Sequence, residues 1–86
     1  MPKKILSIRE ALSSPLRRRI ILELLESPGM SARQLAKRLG IGTGNLAGHL
    51  LILERVGLIR EVKNGRKLEL YVNEHLLVNS SSSASR

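Results

Sequence analysis

The stretch LIREVKNGRKLELYV, residues 58–72, constrains this chain more than any other. It begins directly after Gly57, where the spacing of apolar residues changes from three and four to two. Asn64-Gly65 lies at its centre, and an Asn-Gly pair flanked by alternating apolar residues is the strongest short-range hairpin signal. Strands are expected over 58–63 and 67–73, with the register left open. Two strands alone are marginal in water, so Ile59, Val62, Leu68, Leu70 and Val72 must partly pack on whatever precedes them.

What precedes them reads as helix. Ile5, Ile8 and Leu12 stand three and four apart, marking a short amphipathic helix over 4–13. Ser14 can cap the next helix, 15–27, with Pro15 at its first position, where the missing N–H is no loss. Leu16, Ile20 and Leu24 line that helix, with Ile21 and Leu25 beside them, an apolar arc wide enough for contacts on two sides. Ser31 and Gln34 form a capping box that starts a third helix at Ala32, and Gly40 can end it in the left-handed conformation. A tight turn leads to a fourth helix over 43–56, with Leu46, Leu50 and Leu53 as its buried line and Gly57 closing it. Residues 74–79 suit one further helical turn, and the Ser-rich end over 80–86 is expected to be a disordered tail. The whole is one domain, 1–79, mainly α with a C-terminal β-hairpin.

Composition narrows the chemistry. There is no cysteine, which excludes disulfides, thiolate metal sites and cysteine nucleophiles and fits a reducing compartment. Tyr71 is the only aromatic residue, so the core must be aliphatic. Fifteen Lys and Arg stand against seven Asp and Glu, a formal charge of +8 on 86 residues. An excess of that size in a small domain points to a polyanionic partner, most often nucleic acid. No run has membrane-spanning length and nothing resembles a targeting segment, so a cytoplasmic protein is expected. Gly40, Gly42 and Gly44 follow a helix rather than a strand and do not make a phosphate-cradling loop. With no supported nucleophile arrangement either, an enzyme is not expected.

Two helices joined by a short Gly-containing turn, the first opened by a capping box, match a helix-turn-helix, and the Asn-Gly hairpin makes it a winged one. The segments ALSSPLRRRIILELLE, SARQLAKRLGI, GNLAGHLLILERVGLI and KNGRKLELYV resemble the ArsR-type and MarR-like winged helix-turn-helix transcriptional regulators over about residues 10–73. That resemblance implies a dimeric double-stranded-DNA-binding regulator, with helix 43–56 in the major groove and the hairpin over neighbouring phosphates or minor groove. Repression is the commoner mode among such regulators. The chain departs from their metal sensors: where those carry a Cys-x-Cys motif it reads RQLAKRLG, and only His49 and His75 offer imidazole. No metal and no cofactor is expected.

The fourth helix poses a difficulty of its own, for it has no Lys or Arg before Arg55. At about 100° per residue, Gly44, Gly48, Leu51 and Arg55 fall opposite the core line, flanked by Asn45 and Ile52. The glycines therefore lie where DNA would, and either let the backbone approach closely or reflect drift on an exposed face. Thr43 and Asn45 are the base-edge candidates, Asn for adenine and the Thr methyl for thymine. Asn45 can equally bond locally, and His49 can be a packed core-edge histidine or a phosphate contact. Affinity would come from backbone contacts: Lys63, Asn64, Arg66 and Lys67 on the wing, and Arg33, with Lys37 and Arg38, on the third helix. Ile5, Ile8 and Leu12, joined by Leu76, Leu77 and Val78, are the expected homodimer interface. Leu51 and Ile52 could instead form a patch for a protein partner. The alternatives to a sequence-specific regulator are an architectural DNA-binding protein and a winged-helix protein-interaction module.

Overall fold

The computed structural model describes residues 7–77. Ile5, Val78 and the expected tail over 80–86 lie outside these. Helix α1 spans Ile8–Ala11 and is shorter than the periodicity predicts. Ser7 ends it on the N-terminal side: its Oγ accepts from the Glu10 amide at 3.1 Å, while the Glu10 carboxylate accepts from the Ser7 amide at 3.0 Å. A residue committed to that reciprocal cap is extended, so the helix cannot run through it.

Helix α2, Pro15–Glu26, starts as expected, with Ser14 Oγ accepting from the Arg17 amide. The junction with α1 is closed by arginine. Arg17 Nε donates to the Ala11 carbonyl at 2.6 Å and Arg18 Nη1 to that of Leu12 at 2.8 Å. These are the orphan carbonyls that a helix end leaves behind. Helix α3, Ala32–Leu39, has the predicted Ser31–Gln34 capping box and stops at Gly40, whose φ of 71° is left-handed. Helix α4, Thr43–Arg55, follows three residues later, with Gly42 at its N-cap and no side-chain cap.

Strands β1, Ile59–Asn64, and β2, Lys67–Val72, pair antiparallel from Ile59 with Val72 to Asn64 with Lys67. The turn therefore holds Gly65 and Arg66, one residue later than an Asn-Gly-centred hairpin. Gly65 has φ 68° and Arg66 stays negative, which is the type II′ pattern rather than the I′ turn that would place Asn64 at positive φ. The hairpin is not isolated. The Gly29 amide donates to the Leu70 carbonyl and the Leu70 amide to that of Met30, each at 2.9 Å. Backbone from the α2–α3 connection thus pairs with β2 as a short third partner.

All these elements meet on one aliphatic core. Ile20, Leu24, Leu35, Leu46, Leu53, Leu58 and Leu70 are its largest fully buried side chains, from α2, α3, α4 and the hairpin. Each contributes about 1.5–3 kcal/mol through burial. The hairpin's apolar residues divide: Ile59 and Leu70 are buried and Val72 partly so, whereas Val62 and Leu68 stay exposed. Residues 74–77 are helical, and Leu76 and Leu77 pack on the core edge.

Candidate nucleic-acid interface

The core line of α4 decides what the helix shows to the outside. Leu46, Leu50 and Leu53 are buried, so Thr43, Gly44, Asn45, Ala47, Gly48, Leu51 and Arg55 are exposed. A Cβ built on Gly44 or Gly48 meets no other atom within 4 Å. The fold itself therefore does not require glycine at either place. Leu51 is 50% exposed, but Ile52 turns toward the core and is partly buried against it. The expected Leu51–Ile52 patch is thus not one surface: Ile52 is taken up by packing.

A cationic depression, sharing Ala32 with a hollow that Ala47 and Leu51 of α4 line, joins distant parts of the chain. Ser31, Ala32 and Arg33 at the start of α3 line it together with Arg66, Lys67 and Leu68 at the hairpin tip. Gly65 turns the chain so that Arg66 and Lys67 reach the α3 end, where helix amides leave partial positive charge. Lys63 is exposed further along the hairpin. Asn64 has another task. Its Nδ2 donates to Glu69 Oε2 at 3.2 Å, while the Tyr71 hydroxyl donates to Glu69 Oε1 at 2.9 Å. Those two bonds, Tyr71 foremost, hold the Glu69 carboxyl below its ordinary range. Asn64 thereby stiffens the wing across its strands.

Not every cation near α3 is available. Arg38 donates to Glu23 at 3.2 Å and to Ser27 Oγ at 3.1 Å, tying α3 to α2. Arg19 approaches the same carboxylate at 4.0 Å. His49 is half-buried on the flank of α4, where Arg17 Nη1 stands 3.2 Å from its Nδ1.

Two features escape sequence reasoning. Glu54 of α4 stands beside Glu61 of β1, and burial first, then interaction with the Glu61 carboxyl and its charge, raise the Glu54 pKa from 4.5 to about 7. They line a hollow with Ala32, Ala47, Leu50 and Leu51, next to the exposed face of α4. The second is an apolar groove formed by Leu12, Ile21, Leu22, Leu25 and Leu77, rimmed by Arg18. Leu22 is 61% exposed there. Ile8 and Leu12 themselves are half-buried against the core. Among the described residues no group of three or more His, Cys, Asp or Glu is placed to hold a metal ion, and no helix is long and apolar enough to cross a membrane.

Known proteins share this arrangement. A family described as a helix-turn-helix domain matches residues 12–62. A helix-turn-helix-type transcriptional regulator of Methanocaldococcus jannaschii, itself uncharacterised, is 36% identical over 67 residues, 78% of this chain. The chain spans only 17% of that relative's length. Among solved structures, an ArsR-like transcriptional regulator from Rhodococcus superposes with a TM-score of 0.85 at 32% identity, covering 92% of this chain and 74% of that one. The cadmium sensor of Mycobacterium tuberculosis is similar at a TM-score of 0.70 and 33% identity, over 80% of this chain and 71% of its own.

Proposed function

This chain belongs to the winged helix-turn-helix family of ArsR-like transcriptional regulators, a non-enzymatic class, and on that premise we propose that it is a repressor that occupies operator DNA. The observation that carries this reading is the convergence of Arg33, Arg66 and Lys67 on one depression that shares Ala32 with a hollow lined by Ala47 and Leu51 of α4. With α4 in the major groove, those cations take the phosphates on one side of it, and Lys63 extends the contact along the wing. Thr43 and Asn45 read base edges at the helix start. Gly44 and Gly48 let the α4 backbone lie close to the duplex. A cytoplasmic location goes with this activity.

Two copies act together in this reading. The groove of Leu12, Ile21, Leu22, Leu25 and Leu77 receives a second copy. A two-fold dimer then meets half-sites about one helical turn apart. Enrichment of duplexes from a random pool at two salt concentrations tests the proposal. A steep salt dependence with an enriched two-fold motif is the expected result. Salt-dependent retention without a motif would make the protein architectural, and no retention at low salt would defeat DNA binding.

A further inference from the structure

His49 is held by a group that can only donate. A guanidinium offers five N–H donors and no acceptor. With Arg17 Nη1 at 3.2 Å, a hydrogen bond between the two requires His49 Nδ1 to accept, which leaves the ring proton to Nε2. Arg17 is not free to swing away. Its Nε is bound to the Ala11 carbonyl at 2.6 Å, at the end of α1, and its own amide caps onto Ser14. The planar fork serves the two acceptors at once, which a lysine ammonium on its flexible stem cannot reproduce.

The surroundings of His49 give this tautomer a use. His49 stands one helical turn after Asn45, on the flank between the buried line and the exposed face. Beyond Asn45, the exposed positions of α4 are Ala47, Gly48 and Leu51, none with a side-chain donor before Arg55. We propose that Arg17 is a positioning residue for DNA contact: it holds His49 as the Nε2–H tautomer, so that α4 presents one fixed, uncharged donor to a backbone phosphate. This rests on the reading of α4 as the groove helix. An uncharged donor adds affinity and geometry without displacing a counterion, so its removal leaves the salt slope unchanged.

The experiment combines ring spectroscopy with binding. Nitrogen-15 NMR of the full chain in mildly alkaline solution reports which His49 nitrogen carries the proton. The expected result is Nε2–H in the unmodified protein and a tautomer mixture in Arg17→Lys, which keeps the charge. Binding to the enriched duplex is then measured across salt concentrations for Arg17→Lys, His49→Ala, the double variant and His49→Gln. Each single variant should bind about five- to tenfold more weakly at an unchanged salt slope. The double variant should lose no more than either alone, and His49→Gln, which keeps a distal donor, should recover most of the loss. An Nδ1–H tautomer in the unmodified protein overturns the proposal, as do additive losses or a duplex affinity indifferent to His49. If the unmodified protein binds duplex and only the His49 variants are silent, the positioning role falls and the regulator stands. If the unmodified protein binds no duplex, both fall.

Discussion

Glu54 and Glu61 stand together across the junction of α4 and the wing, where burial and the neighbouring carboxyl favour the protonated form of Glu54. The Glu54 pKa is raised above its unfolded value, so the folded state binds that proton more tightly. The stabilisation is complete below pH 4.5 and is lost as pH rises through about 7. Unfolding midpoints measured across this window should therefore fall with rising pH. Glu54→Gln, which keeps a donor and removes the titration, should flatten the dependence. An equally steep profile in that variant would place the titrating group elsewhere.

Gly44 and Gly48 separate stability from binding. Each glycine-to-alanine change should stabilise the fold by about 0.5–1 kcal/mol, because helix propensity improves and the new methyl meets nothing. Duplex affinity should fall in the same proteins if the backbone approaches DNA closely. Thermal melts and binding isotherms on one preparation check both halves. Stabilised variants with undiminished affinity would identify the glycines as drift.

The cations divide into two kinds. Replacing Arg33, Arg66 or Lys67 by alanine should lower the salt slope by about 1 each, since each neutralises a phosphate, and leave the melting temperature nearly unchanged. Arg38→Ala should do the reverse. It loses contacts to Glu23 and Ser27, and about 0.5–1 kcal/mol of stability, with the slope intact.

Leu22→Lys is the cleanest probe of association, because Leu22 is largely exposed while Ile8 and Leu12 also support the core. The expected outcome is a monomer by light scattering that keeps its helical circular dichroism, with weakened duplex binding. A dimer unaffected by this change would move the interface off the groove.

The helical body was legible in the sequence because its signals are local. Capping residues such as Ser31 and Gln34 lie three apart, and Leu46, Leu50 and Leu53 follow the helical period. The hairpin was legible to within one residue. Its register, left open by the sequence, is set where Asn64 bonds Glu69 and keeps negative φ, which hands the first turn position to Gly65. Pairings across the chain left no such trace. Arg17 and His49 are 32 residues apart, and nothing in the spacing of either announces the other. Glu54 and Glu61 likewise read as two ordinary surface carboxylates. The groove around Leu22 was hidden for the same reason, since Leu77, far along the chain from α2, completes it.

Tyr71 is the chain's single aromatic residue, and it stands where the wing joins the body, its hydroxyl within 3.1 Å of the position a Cβ on Gly29 would take. No tryptophan outshines it and no other tyrosine dilutes it. The intrinsic ultraviolet emission of this protein is therefore a local signal, sensitive to the carboxylate that holds the phenol and to any loosening of the wing's root. A label-free titration with duplex can report whether the wing shifts on its hinge when the groove is filled.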